Sequence, residues 1–224
     1  MTLARATSVI LFKELRTEFR SRQLLGTTAV FVLIVIVLFS FTFNPTSLES
    51  RRFGPGLLWL AFLFAGSLML QSSFLREQTN DTLAALRLAP IDPFSILAGK
   101  MAANFLFLLL VEVILLPVFA VLYNVAILPI LAQLLLVLAL GTIGLAATGT
   151  VFSAVAAQAR LRELLLPLLL LPVLAPVLIA STEATIGILR DPSELSLVWL
   201  TFLACFDVVF LTAAWMVGEY LLEE

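Results

Sequence analysis

Residues 96–123 read ILAGKMAANFLFLLLVEVILLPVFAVLY, an apolar run with one lysine, Lys100, near its start and one acid, Glu112, near its middle. A helix rises about 1.5 Å per residue, so about 20 apolar residues cross the hydrocarbon core of a bilayer, and this run is longer than that. Its apolar residues follow one another without the alternation of a half-buried strand, which points to a helix surrounded by lipid and other helices. Working outward, runs of the same kind occupy residues 24–43, 56–74, 128–157, 164–180 and 197–222. The predicted fold is therefore an all-α integral membrane protein with six transmembrane helices in one domain over residues 1–224. The first run reads as a retained span rather than a cleaved leader, since a polar-rich segment precedes it and no small-residue cleavage pattern follows Phe43.

The composition agrees with this reading. The chain has 224 residues, 62% hydrophobic and 12% charged, against roughly 25% charged in soluble domains. A net charge of −2 gives no overall basic field for nucleic acid. The lone cysteine, Cys205, cannot form a disulfide within the chain, and in its apolar run it reads as a small hydrophobe. There is no histidine. Histidine zinc sites and Ser-His-Asp triads are excluded within this chain, and neither a catalytic residue nor a metal site is expected. The only Gly-Lys pair, Gly99-Lys100, has Phe94 five residues before the glycine and Met101 after the lysine. That is no phosphate-cradling loop, so ATP would have to be held by a different subunit.

The loop charges set an orientation. Arg5, Lys13, Arg16, Arg20, Arg22, Arg76, Arg87, Lys100, Arg160 and Arg162 fall on one side, and Arg51, Arg52 and Arg190 on the other. The excess of cations places both termini in the cytoplasm. Residues 1–23 form an amphipathic helix in which Ile10, Leu11, Leu15 and Phe19 recur at helical spacing among Arg5, Lys13, Glu14, Arg16, Glu18 and Arg20. It is expected to lie along the interface with that apolar face in the acyl boundary and its cations near anionic headgroups, or else to pack on a partner.

Residues 77–90, EQTNDTLAALRLAP, interrupt the apolar pattern. Asp81 can cap a short helix from Thr82 to Leu88, and the residue before Pro90 is turned away from helical geometry. Asp92-Pro93 then restarts a helix that continues as the third span. Glu77, Asp81, Thr82, Leu83, Leu86 and Arg87 thus make a mixed apolar and charged knob, read either as a dock for a soluble partner or as a solvated loop.

Within the spans, Glu112 and Asp207 stand out, because a charge at a helix centre costs about 2.5–3.5 kcal/mol on insertion scales. Each reads as a site on a permeation path or partner interface, or as a protonated structural hydrogen-bonding group. Thr201 and Thr212 share the span of Asp207. Gly141, Gly144, Ala147 and Thr148 are spaced for close helix packing. Pro167, Pro172 and Pro176 predict a kinked, buried fifth span. Residues 181–194 read as an external half-helix or re-entrant turn before the sixth span, started by Asp191 or Ser193 and offering a surface to an external partner.

Two blocks carry a resemblance. Phe53-Gly54-Pro55-Gly56-Leu57-Leu58-Trp59, with Phe74 to Glu77, Asp81-Thr82-Leu83, Leu88-Ala89-Pro90 and Leu97-Ala98-Gly99-Lys100, forms the first. Gly141 to Ser153, continuing through Arg160, Arg162 and Leu164 to Ala180, forms the second. Together they resemble the CcmB family, the haem exporter protein B permeases of the ABC-type complex in cytochrome c maturation. Relatives often carry Asp-Gly-Thr/Ser-Leu-Glu where this chain has Asn80-Asp81-Thr82-Leu83-Ala84.

The resemblance implies a non-enzymatic, ABC-2-like permease of the bacterial inner membrane, with residues 77–90 as the coupling-helix region. ATP is then held by a CcmA-type ATPase. Haem is handled with a CcmC-type protein, a CcmD-type small subunit and, indirectly, a periplasmic haem chaperone; this chain alone binds no cofactor and acts with a second copy of itself. An exporter of another substrate, such as a drug, lipid or polysaccharide, and a membrane scaffold that transports nothing are the alternatives. An intramembrane hydrolase built on Glu112 and Asp207 lacks a catalytic framework.

Overall fold

The computed structural model describes residues 2–42, 48–79, 92–157, 162–190 and 196–223. Its helices are α1 (Leu3–Ser21), α2 (Gln23–Thr42), α3 (Leu48–Thr79), α4 (Pro93–Leu122), α5 (Leu131–Ala157), α6 (Arg162–Arg190) and α7 (Leu197–Glu223), with a short 3₁₀ turn at Leu128–Ile130. Among the described residues six helices, α2 to α7, are long and apolar enough to cross a membrane. Lipid offers no partner to backbone N–H and C=O groups, so each run satisfies them internally as a helix.

Local chemistry sets the ends of several helices. Asp92 caps α4, its Oδ1 accepting from the Phe94 N–H at 2.8 Å, and Pro93 takes the first position, where no N–H is needed. Arg22 adopts a left-handed φ of 53° between α1 and α2, and its N–H closes α1 on the Glu18 carbonyl. At the far end of α4, Asn124 is left-handed (φ 50°) and Tyr123 stacks on Phe119 with ring centroids 4.6 Å apart.

Two boundaries depart from the sequence reading. The second span was expected from residue 56, but α3 begins at Leu48 and runs through Pro55. The fifth was expected to end near residue 180 before an external half-helix or re-entrant turn, yet α6 continues to Arg190. Thr185 is absorbed by the helix itself, its Oγ1 donating back to the Ser181 carbonyl at 2.7 Å. Ala184 and Ile188 then carry the buried face outward. The expected start at Asp191 or Ser193 lies outside the described residues. α6 is continuous across Pro167, Pro172 and Pro176.

α5 is the hub. It packs against α3, α4, α6 and α7, while α1 lies on α4, and α2 lies against α3 and α4. Burial follows this order: 67% of the spanning part of α3 and 56% of that of α5 is enclosed by protein, but only 17% of those of α2 and α7. The outer two present apolar faces such as Ile34, Leu38, Val208 and Trp215, as lipid requires.

The orientation of α1 corrects the sequence reading. Ile10 is buried, and Leu11 and Leu15 pack on the core, leaving only Phe19 of the expected lipid-facing set exposed. Gly99 is the reason. A Cβ there would stand 2.7 Å from the Ile10 side chain and 3.0 Å from the Thr7 carbonyl, so only glycine lets α1 come this close to α4.

Candidate functional site

The close approach at Gly99 brings Glu14 to Lys100. Lys100 is fully buried in α4, and its Nζ donates to Glu14 Oε1 at 3.0 Å and to the Ser73 carbonyl of α3 at 2.8 Å. A buried ammonium without partners would be costly, and this one is held by an acid and a backbone dipole from two other helices. Burial pushes the Glu14 carboxyl upward, but Lys100 and Lys13 together outweigh it and hold it below its ordinary value.

Lys100 begins a line along α4. Residues four apart lie one above another on a helix, and Lys100, Asn104, Leu108 and Glu112 follow that spacing. On the facing α5, Thr150, Ala146 and Thr142 repeat it in reverse. Asn104 Nδ2 donates to Thr150 Oγ1 at 3.0 Å and reaches Ser73 Oγ at 3.5 Å. Two turns further on, Thr142 Oγ1 lies 2.8 and 2.7 Å from the two Glu112 oxygens. Leu108, buried between these rungs, separates them. One turn beyond Thr150, Ser153 donates to the Leu70 carbonyl of α3 at 2.6 Å.

Asp207 meets α5 on a different side. A Cβ on Gly144 would stand 2.9 Å from Asp207 Oδ1, so the glycine admits the carboxyl against the helix backbone. Asp207 is buried, and among the described residues neither of its oxygens finds a hydrogen-bond partner; the buried Thr148 hydroxyl also lacks one. Thr201 and Thr212 do not join it: both are exposed, and Thr212 donates to its own helix at Val208. Thr142 and Gly144 are two residues apart, about 200° around the helix, so Glu112 and Asp207 flank α5 from different sides. They do not form a paired-carboxylate centre.

Gly141 serves the Trp59 ring. A Cβ there would fall 2.4 Å from the indole and 2.7 Å from Ser181 Oγ. The indole N–H donates to Thr185 Oγ1 at 3.0 Å, joining α3 to α6 across α5. Gly149 gives the same close approach to Leu70. Glu77 lies in the last turn of α3, while Asp81, Thr82, Leu83, Leu86 and Arg87 lie outside the described residues. Asn104, Thr142, Thr150 and the inward role of Lys100 were missed in the sequence; the four-residue spacing of polar residues along α4 and α5 was the signal that marked them.

The CcmB protein family matches residues 5–217, from α1 into α7. The chain belongs to the CcmB family. Among CcmB-family relatives, Heme exporter protein B of Pseudomonas aeruginosa is 35% identical over 199 residues, covering 88% of each chain. The protein of the same name from Rhodobacter capsulatus is 33% identical over 78% of this chain and 79% of its own. That from Bradyrhizobium diazoefficiens is 30% identical over 84% of each. This CcmB-family chain is thus a multi-pass membrane protein whose polar interior is organised around α5.

Proposed function

We propose that this chain is the permease subunit of an ABC-type haem-export complex in cytochrome c maturation. Its two copies would work with a CcmA-type ATPase, a CcmC-type haem-handling protein and a CcmD-type small subunit in the bacterial inner membrane, both termini cytoplasmic. The observation that carries the reading is the similarity, across the spans, to relatives named Heme exporter protein B. The chain has no phosphate-binding loop of its own, so hydrolysis energy enters through a contact. Residues 77–90 are the segment proposed to receive it.

The geometry beside that segment suits transmission. α3 ends at Thr79 and α4 begins at Pro93. Just inside these ends, Lys100 and Asn104 of α4 bind Ser73 of α3, and Glu14 adds α1 to the same cluster. The two helices that the segment joins are therefore clamped to each other and to α1. A push on it would be felt by α1, α3 and α4 together, and by α5 through the Asn104–Thr150 bond.

One observation favours a second reading, a scaffold that transmits force without carrying cargo through its own body. The polar line between α4 and α5 is closed by direct side-chain pairs and by Leu108, so a route along it would require those pairs to part.

The test is co-purification with the neighbouring subunits and ATPase activity with and without the haem chaperone. Leu83→Asp and Leu86→Asp are expected to release the ATPase while membrane insertion persists; full retention of the ATPase by both variants would refute the docking assignment. Stimulation by the chaperone in an assembly whose chains show no cavity in any nucleotide state would favour the scaffold.

A further inference from the structure

α1 is divided by the sign of its charges rather than by polarity. Both acids turn toward the protein: Glu14 pairs with Lys100, and Glu18, 1% exposed, accepts the Leu25 N–H at 2.9 Å on α2. The cations Arg5, Arg16, Arg20 and Arg22 are all exposed, as is Lys13, which also reaches Glu14 at 3.2 Å. At 100° per residue, Arg5, Val9, Phe12, Arg16 and Phe19 fall on one stripe, with Arg20 on its flank. Phe12 is 69% exposed and Phe19 55%.

A helix facing water has no use for two outward phenylalanines, and one buried in hydrocarbon would not carry three outward arginines. Across the stripe, Phe12 and Phe19 lie at one edge and Arg5, Arg16 and Arg20 toward the other, which matches a boundary with acyl chains on one side and phosphates on the other. Arginine forks bind phosphate oxygens through paired N–H groups, and the alternating rings fill the space between headgroups. The contacts at Gly99 and Lys100 hold the inner face in place, so the stripe is presented in a set orientation.

We propose that this outward stripe of α1 is a binding surface for the phosphate headgroups of anionic phospholipid. The surface does not depend on the export function. It is tested with the full-length protein reconstituted in nanodiscs of equal phosphatidylglycerol and phosphatidylcholine, with retained lipid counted by native mass spectrometry.

The wild-type protein is expected to hold phosphatidylglycerol over phosphatidylcholine by roughly tenfold or more, and R5Q/R16Q/R20Q to fall to within about twofold of parity. R5K/R16K/R20K, which keeps the charges, should retain most of the preference. R190Q, a change at the far end of α6, should leave it intact. If the glutamine triple variant lowers the melting temperature, the preference of the wild type is read against ionic strength, where it must weaken with added salt. Preference that survives the triple substitution or is indifferent to salt overturns the proposal, and so does an equal loss in R190Q. A triple variant that keeps its lipid preference but loses a soluble partner would assign the stripe to an acidic protein instead.

Discussion

Lys100 Nζ sits 3.0 Å from Glu14 Oε1, and this contact between residues 86 apart in sequence ties the amino-terminal helix to α4. Removing one partner of a buried ion pair costs about 3–5 kcal/mol because the other charge is left uncompensated. Glu14 retains some exposure, 15% of its side chain, so Glu14→Gln is expected at the lower end, about 3 kcal/mol. The double variant Glu14→Leu/Lys100→Met should recover much of the loss. Thermal melting in detergent, with limited proteolysis of α1, gives the four corners of the cycle; additive single effects would show that the pair is not coupled.

Acid should loosen the same contact. The Glu14 carboxyl titrates in the folded protein below its ordinary value of 4.5, so the folded state favours its ionised form. The stabilisation is fully present above 4.5 and disappears as pH falls through the lower, folded value. Protection of α1 from proteolysis should be level from pH 8 to 5 and decline below 4.5. Glu14→Gln should remove this step, and a decline already complete at pH 6 would contradict the assignment.

At mid-membrane, Thr142→Val removes the hydroxyl that satisfies Glu112 and leaves its carboxyl without that donor, with an expected loss of about 1–3 kcal/mol. Glu112→Gln keeps a polar group that can bond Thr142, and should cost less than Thr142→Val. Melting temperatures of the two variants decide this, and the reverse order would mean that the carboxyl has another principal partner.

Gly141→Ala forces a methyl group into the Trp59 ring at a separation of 2.4 Å. Overpacking of this kind costs about 1–3 kcal/mol, and the displaced indole would also lose its bond to Thr185. Trp59→Leu in the same chain should relieve the clash, so the pair should be less destabilised than the sum of its single changes. Additivity would place the strain elsewhere.

Much of the fold was legible because its signals are local. Each apolar run had to be a helix in lipid, and Asp92-Pro93 announced the start of α4 in two residues. The end of α6 was misplaced because Ser181, Glu183 and Thr185 read as part of a separate external half-helix or re-entrant turn. Trp59 and Gly141, distant in sequence, make an interior environment for the two hydroxyl residues, which no window over residues 181–194 contains. Residues 77–90 were the sharpest site reading, and all but the α3 end of that segment lies outside the described residues.

Sequence by itself determined six spanning helices, the cation asymmetry and an amphipathic first helix, because helix formation and hydropathy depend on neighbours within a few turns. Only the tertiary structure decided which face of α1 meets the protein, that Lys100 points inward, and that Glu112 finds a hydroxyl while Asp207 finds none among the described residues. Those outcomes depend on the register between helices. A glycine at 99, 141 or 144 sets how near two helices approach, and that distance determines which polar groups can reach a partner.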